Sequence, residues 1–67
     1  MDSFSGASHM ASLDDRMRLV KSACDEAPAD TRKSVSMRRY LSAEQARRLG
    51  DETECIRRLD AAMKALR

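Results

Sequence analysis

Apolar residues recur at Leu13, Met17, Val20, Cys24 and Ala27, in steps of four, three, four and three. This spacing predicts an amphipathic helix that lays one seam on other helices. Ser12 is suited to the N-cap, and Asp14 and Asp15 put negative charge in the first turn, where the helix dipole favours it. Arg16, Arg18, Lys21, Asp25 and Glu26 fall off the seam and are expected in solvent. Pro28 pushes the residue before it out of the α region, so the first helix should span about 13–26.

Ala27-Pro28-Ala29-Asp30 forms a short connection, with Asp30 placed to cap a second helix. From Thr31 to Leu49 nothing breaks a helix. Its apolar residues are sparse and lie on two sides: Val35, Ala43, Ala46 and Leu49 make one stripe, while Met37, Tyr40 and Leu41 lie towards the other. A central helix touching a neighbour on each side has this pattern; a kink near Ser34 or Ser42 is the alternative. Gly50 then follows the last apolar residue, the usual place for a left-handed C-cap. Asp51 caps a third helix, with Glu54 three residues on in the pattern of a capping box. In that helix, about 52–66, Cys55, Ile56, Leu59, Ala62, Met63 and Leu66 fall at i, i+1, i+4, i+7, i+8 and i+11, the cleanest amphipathic signal in the chain. Arg57, Arg58, Asp60 and Lys64 take the other face.

The expected fold is therefore all-α: a three-helix unit over residues 13–67, in which the second and third helices form an antiparallel hairpin and the first closes over its apolar face. Residues 1–12, MDSFSGASHMAS, carry no periodic pattern and are expected to be a disordered tail. The string Ser8-His9-Met10-Ala11-Ser12 resembles the remnant of a cloning site in a bacterial expression vector.

The run from Arg39 to Arg67 resembles a single tetratricopeptide-type helical hairpin. Leu49-Gly50-Asp51 matches that family's turn, Ala43 stands where the family usually has Gly, and Cys55 takes a small-residue position. Leu59 takes the large apolar position and Ala62 the later Ala. Arg39, Ser42, Ala46 and Arg67 depart from the pattern, standing where Trp, Leu, Tyr and Pro are common. The resemblance implies hairpin geometry. It does not imply the concave peptide groove of long arrays, because only one unit fits. The stretch from Cys24 to Leu66 is also similar to small uncharacterised alpha-proteobacterial proteins, which implies no function.

Composition sharpens this picture. The chain has 67 residues, one Tyr, one Phe and no Trp, so any core must be built from Leu, Met, Ala, Val and Ile. Chains of this size bury only ~60% of the surface their unfolded form exposes, and they are marginal without a staple or a partner. The formal net charge of +2 does not demand a polyanionic partner, but its distribution is uneven. In the second helix Arg32, Lys33, Arg38, Arg39, Arg47 and Arg48 oppose one acid, Glu44. These six are a candidate basic surface for nucleic acid or an acidic membrane. Against this, they are spread around the helix, and only Tyr40 is available to stack on a base. Pairing with acids of the first and third helices, or simple solvation, is the competing reading. No apolar run approaches the ~18 residues of a membrane span.

Cys24 and Cys55 lie on apolar faces of the first and third helices. Their spacing excludes a CxxC motif and a four-ligand zinc site. Three readings stay open. They are two buried free thiols, a disulfide tying the two helices, or a reactive thiol. A bridge would contribute ~3–4 kcal/mol in the chain-entropy model and imply a periplasmic or secreted location; without it the cytoplasm is expected. His9, the one His, lies in the tail, so the helices offer no imidazole for acid–base work, thiol activation or metal ligation. Both glycines stand alone, which excludes a phosphate loop. The paired acids Asp14-Asp15, Asp25-Glu26 and Asp51-Glu52 are explained by capping and solvation. No catalytic, cofactor or metal site is expected. The leading expectation is a small non-catalytic interaction or scaffold module bound to another protein or to itself, ahead of a nucleic-acid-binding module and a disulfide-stapled periplasmic accessory protein.

Overall fold

The computed structural model describes residues 12–67, which form three helices: α1 (Leu13–Glu26), α2 (Thr31–Arg48) and α3 (Glu52–Ala65). Apart from Ser12, the expected tail lies outside the described residues. Each helix starts at the predicted cap. The Ser12 hydroxyl accepts from Asp15 N–H at 3.1 Å. The Asp30 carboxylate accepts from the N–H groups of Arg32 and Lys33 at 2.9 and 3.2 Å. The Asp51 carboxylate accepts from Glu54 N–H at 3.1 Å. These bonds satisfy N–H groups that the first turn of a helix leaves without partners.

The turn between α2 and α3 is a Schellman motif. Leu49 ends α2 with φ −81° and ψ −1°, and Gly50 takes φ +79°. Gly50 N–H donates to the Arg47 carbonyl and Asp51 N–H to the Ala46 carbonyl, both at 2.9 Å, which satisfies two of the last carbonyls of α2. Only half of the expected capping box forms. Asp51 N–H is taken by Ala46, so Glu54 instead pairs with Arg57 and Arg58.

α2 runs antiparallel to both of its neighbours. Arg47 near its C-terminus pairs with Asp14 at the start of α1, while Lys33 near its N-terminus donates to the Asp25 carbonyl at the end of α1. Towards α3, Arg58 donates to Ser42 Oγ at 3.3 Å, and Arg32 reaches the carbonyl of Arg67 at 3.4 Å. α1 and α3 therefore lie parallel, and all three helices share one core. The α2–α3 hairpin is the most extensive packing, with α1 closing over both.

The core is Met17, Val20 and Cys24 from α1, Tyr40, Ala43 and Ala46 from α2, and Cys55, Leu59 and Ala62 from α3. The seams predicted for α1 and α3 turn inward except at Met63, which is 39% exposed and lies outside the core. The seam of α2 differs from expectation. Its buried line is Ser36, Tyr40, Ala43 and Ala46; Val35 is only half-buried, and Leu49 and Leu41 are 78% and 57% exposed. α2 is wedged between two helices, so apart from Tyr40 it presents small residues inward, and Leu41 and Leu49 are left outside. It runs unbroken through Ser34 and Ser42.

Candidate functional site

One polar side chain sits inside this core. Ser36 is fully buried, and its Oγ donates to the carbonyl oxygen of Ala62 at 2.8 Å. Ala62 belongs to the last turn of α3, where Leu66 N–H turns to Met63 and Lys64 instead of continuing the helical ladder. Its carbonyl is thus one of the groups a helix end leaves unpaired. Cys24 Sγ lies 2.8 Å from the same Ser36 Oγ. A hydroxyl has one proton, and Ser36 spends it on Ala62, so the Cys24 thiol donates to Ser36. The chain Cys24–Ser36–Ala62 joins all three helices and leaves no buried side-chain polar atom unsatisfied among the described residues.

The second cysteine lies at another level. Cys55 Sγ meets Met17 Sδ at 3.7 Å, across an offset of 38 residues. The same offset separates Cys24 from Ala62, the two groups that meet on Ser36. Because α1 and α3 are parallel, Cys24 and Cys55 stand seven helical positions apart along the bundle, about 10 Å at 1.5 Å per residue. A disulfide spans at most ~7 Å between Cα atoms. The bridge expected as one reading is therefore not formed, and both thiols are free and buried. The periplasmic or secreted location that hung on this bridge loses its premise. Burial pushes the Cys55 thiol up from its ordinary value, with Arg47 opposing and Glu52 adding to the rise. A buried thiol held protonated acts as a small apolar side chain and not as a nucleophile.

The six candidate basic residues divide into two groups. Arg47 pairs with Asp14, Arg32 with Asp30 at 3.8 Å, and Lys33 donates to the Asp25 carbonyl at 3.1 Å. These three are occupied by the fold's own caps and helix ends. Arg38, Arg39 and Arg48 are exposed and make no ion pair with another described residue. Tyr40, the one residue available in α2 to stack on a base, is 5% exposed in the core. Burial first, and then the charge of Glu44, raises its phenol above the ordinary value.

Where the apolar surface emerges is more informative. Leu19, Leu41, Leu49 and Met63 are large, exposed and outside the core. Leu41 and Leu49 share the outward face of α2 with Met37, Arg38 and Arg48. A shallow groove runs along the start of this face, from Ala29 and Asp30 past Lys33 to Met37, Arg38 and Leu41. Sequence spacing alone assigned Leu41 and Leu49 to inward stripes. The available signal was the run of small residues Ser36, Ala43 and Ala46, which a crowded helix needs on its inner side. Gly50 forms the turn, and Asp51 caps α3. Among the described residues no three His, Cys, Asp or Glu side chains come together in a metal-binding group, and no helix is long and apolar enough to cross a membrane.

No family model matches the chain, and no curated protein or solved structure matches it either.

Proposed function

We propose that the protein is a small non-catalytic interaction or scaffold module. The observation that carries this reading is the distribution of its large apolar side chains. Of the nine buried hydrophobic residues five are Ala or Cys, while Leu19, Leu41, Leu49 and Met63 stay exposed. Burying a Leu or Met stabilises by ~1.5–3 kcal/mol, so a 67-residue chain leaving four outside forgoes stability of the order that holds such a domain together. Leu41 and Leu49 lie on one face of α2, and a partner covering that face would bury what the fold leaves outside. The hairpin resemblance is consistent with a helical interaction unit, although one unit implies no particular ligand.

Sedimentation equilibrium of the whole chain over a wide concentration range tests the self-associating form. Mass that rises with concentration, and stays monomeric after Leu41→Gln with Leu49→Gln, supports it. A monomer at every concentration removes self-association and leaves a heterologous partner. Nucleic-acid binding ranks lower, because half of the basic set is already occupied and no aromatic ring is free to stack among the described residues.

A further inference from the structure

Resting on the interaction reading, we propose that the outward face of α2 is a docking surface for an acidic amphipathic helix. Met37, Arg38, Leu41, Gln45, Arg48 and Leu49 fall on one side of α2, opposite the line of Ser36, Tyr40 and Ala43 that enters the core. Its apolar members recur at i, i+4 and i+12, and its charges are both positive. The carboxylates that border this side are engaged elsewhere: beside Gln45 and Leu49, Asp51 caps Glu54 N–H and Glu54 pairs with Arg57 and Arg58. Glu44, the one acid of α2, faces Tyr40, and the Asp30 carboxylate at the head of the groove is occupied by two backbone N–H groups and Arg32. Arg38 and Arg48 make no ion pair with another described residue, although Glu44 stands one turn before Arg48. The face is thus complementary to a helix that brings aliphatic side chains to Met37 and Leu41 and carboxylates to the two guanidinium groups.

Charge selects among the occupants. A second copy docking antiparallel through the same face, about its midpoint, sets Arg38 of one copy against Arg48 of the other, a like-charge contact that opposes association. Nucleic acid would satisfy the arginines but would cover Leu41 and Leu49 with nothing apolar. An anionic bilayer matches the charge. Yet Met37 and Leu41 line a shallow groove beside the Ala29–Asp30 connection, and the face has none of the aromatic groups that favour a membrane interface.

The test uses the whole ¹⁵N-labelled chain and three probes. These are a designed four-turn peptide with Leu at i, i+4 and i+7 and Glu elsewhere, the same peptide with Lys for Glu, and vesicles of anionic phospholipid. The acidic peptide is expected to shift the amide signals of Ser34, Met37, Arg38, Leu41, Gln45 and Arg48. It should bind roughly tenfold more tightly than the Lys peptide at low salt, the size set by two partly desolvated charge pairs. Arg38→Glu with Arg48→Glu, both at exposed positions, should invert that preference, and Leu41→Gln should weaken both peptides while leaving the remaining spectrum unchanged. Shifts centred on Leu19 or Met63 would overturn the α2 assignment while leaving the interaction reading intact. Binding to vesicles without discrimination between the peptides, or no binding of the acidic peptide up to about 1 mM, would also overturn it.

Discussion

The Ser36 hydroxyl donates to the carbonyl of Ala62 from 26 residues away, at 2.8 Å, and both groups are fully buried. This bond satisfies a helix-end carbonyl that water does not reach, and the same hydroxyl accepts the Cys24 thiol on its other side. Ser36→Ala leaves the Ala62 carbonyl buried and unpaired, so a loss of about 1–3 kcal/mol is expected in urea unfolding. Cys24→Ala and Ser36→Ala should be non-additive in a double-mutant cycle, since the thiol's partner is the residue the second substitution removes. Additivity would show that Cys24 does not take part.

Free thiols at two levels of the bundle make a covalent prediction. Alkylation after denaturation without reductant should find two thiols per chain, and reductant should leave the unfolding midpoint unchanged. Met17→Cys places a thiol at the level of Cys55. Mild oxidation of that variant should link α1 to α3 and lower the mass by two hydrogens, while the unsubstituted chain forms no intramolecular bridge. A Cys24–Cys55 crosslink in the unsubstituted folded chain would contradict the parallel register of α1 and α3.

Most of the helical framework was legible in the sequence because it is local. Ser12, Asp30 and Asp51 cap within three residues of themselves, Pro28 ends a helix by its own ring, and Gly50 supplies a left-handed turn. The inward side of α2 was not legible, because that side is defined by two neighbours and its few apolar residues do not mark it. Ser36 looks in sequence like any solvated serine; its partner is fixed only when α2 and α3 pair. The Cys24–Cys55 reading failed for a related reason. Cys24 and Cys55 both point inward as expected, but axial register decides what meets, and spacing along the chain does not carry it.

The turn yields a graded test. Gly50 has φ +79° and open space where a Cβ would stand, so the cost of a side chain there is conformational and not steric crowding. Gly50→Ala should destabilise by roughly 1 kcal/mol, and Gly50→Asn by less, because Asn tolerates the left-handed region better. Asp51→Ala removes the cap on Glu54 N–H and should cost ~1 kcal/mol, measured as a lower urea midpoint.

Alkaline pH should weaken the fold. Tyr40 and Cys55 both have folded-state pKa values raised above the ordinary 10.0 and 9.0, chiefly by burial. A raised acid binds more protons folded than unfolded, so its contribution is intact below the unfolded value and is lost as pH rises through the folded one. Unfolding midpoints should hold steady from neutral pH to just below 9 and then decline as the pH passes 10. Tyr40→Phe should flatten the later part of that decline.

Whether the exposed leucines of α2 serve a partner and not the fold is tested most directly by the urea unfolding free energy of Leu41→Gln with Leu49→Gln. At 57% and 78% exposure these side chains contribute little to the core, so the variant should stay within about 0.5 kcal/mol of the parent. A loss of ~2 kcal/mol or more would mean that both leucines are buried in the folded chain, and the face proposed for docking would not exist.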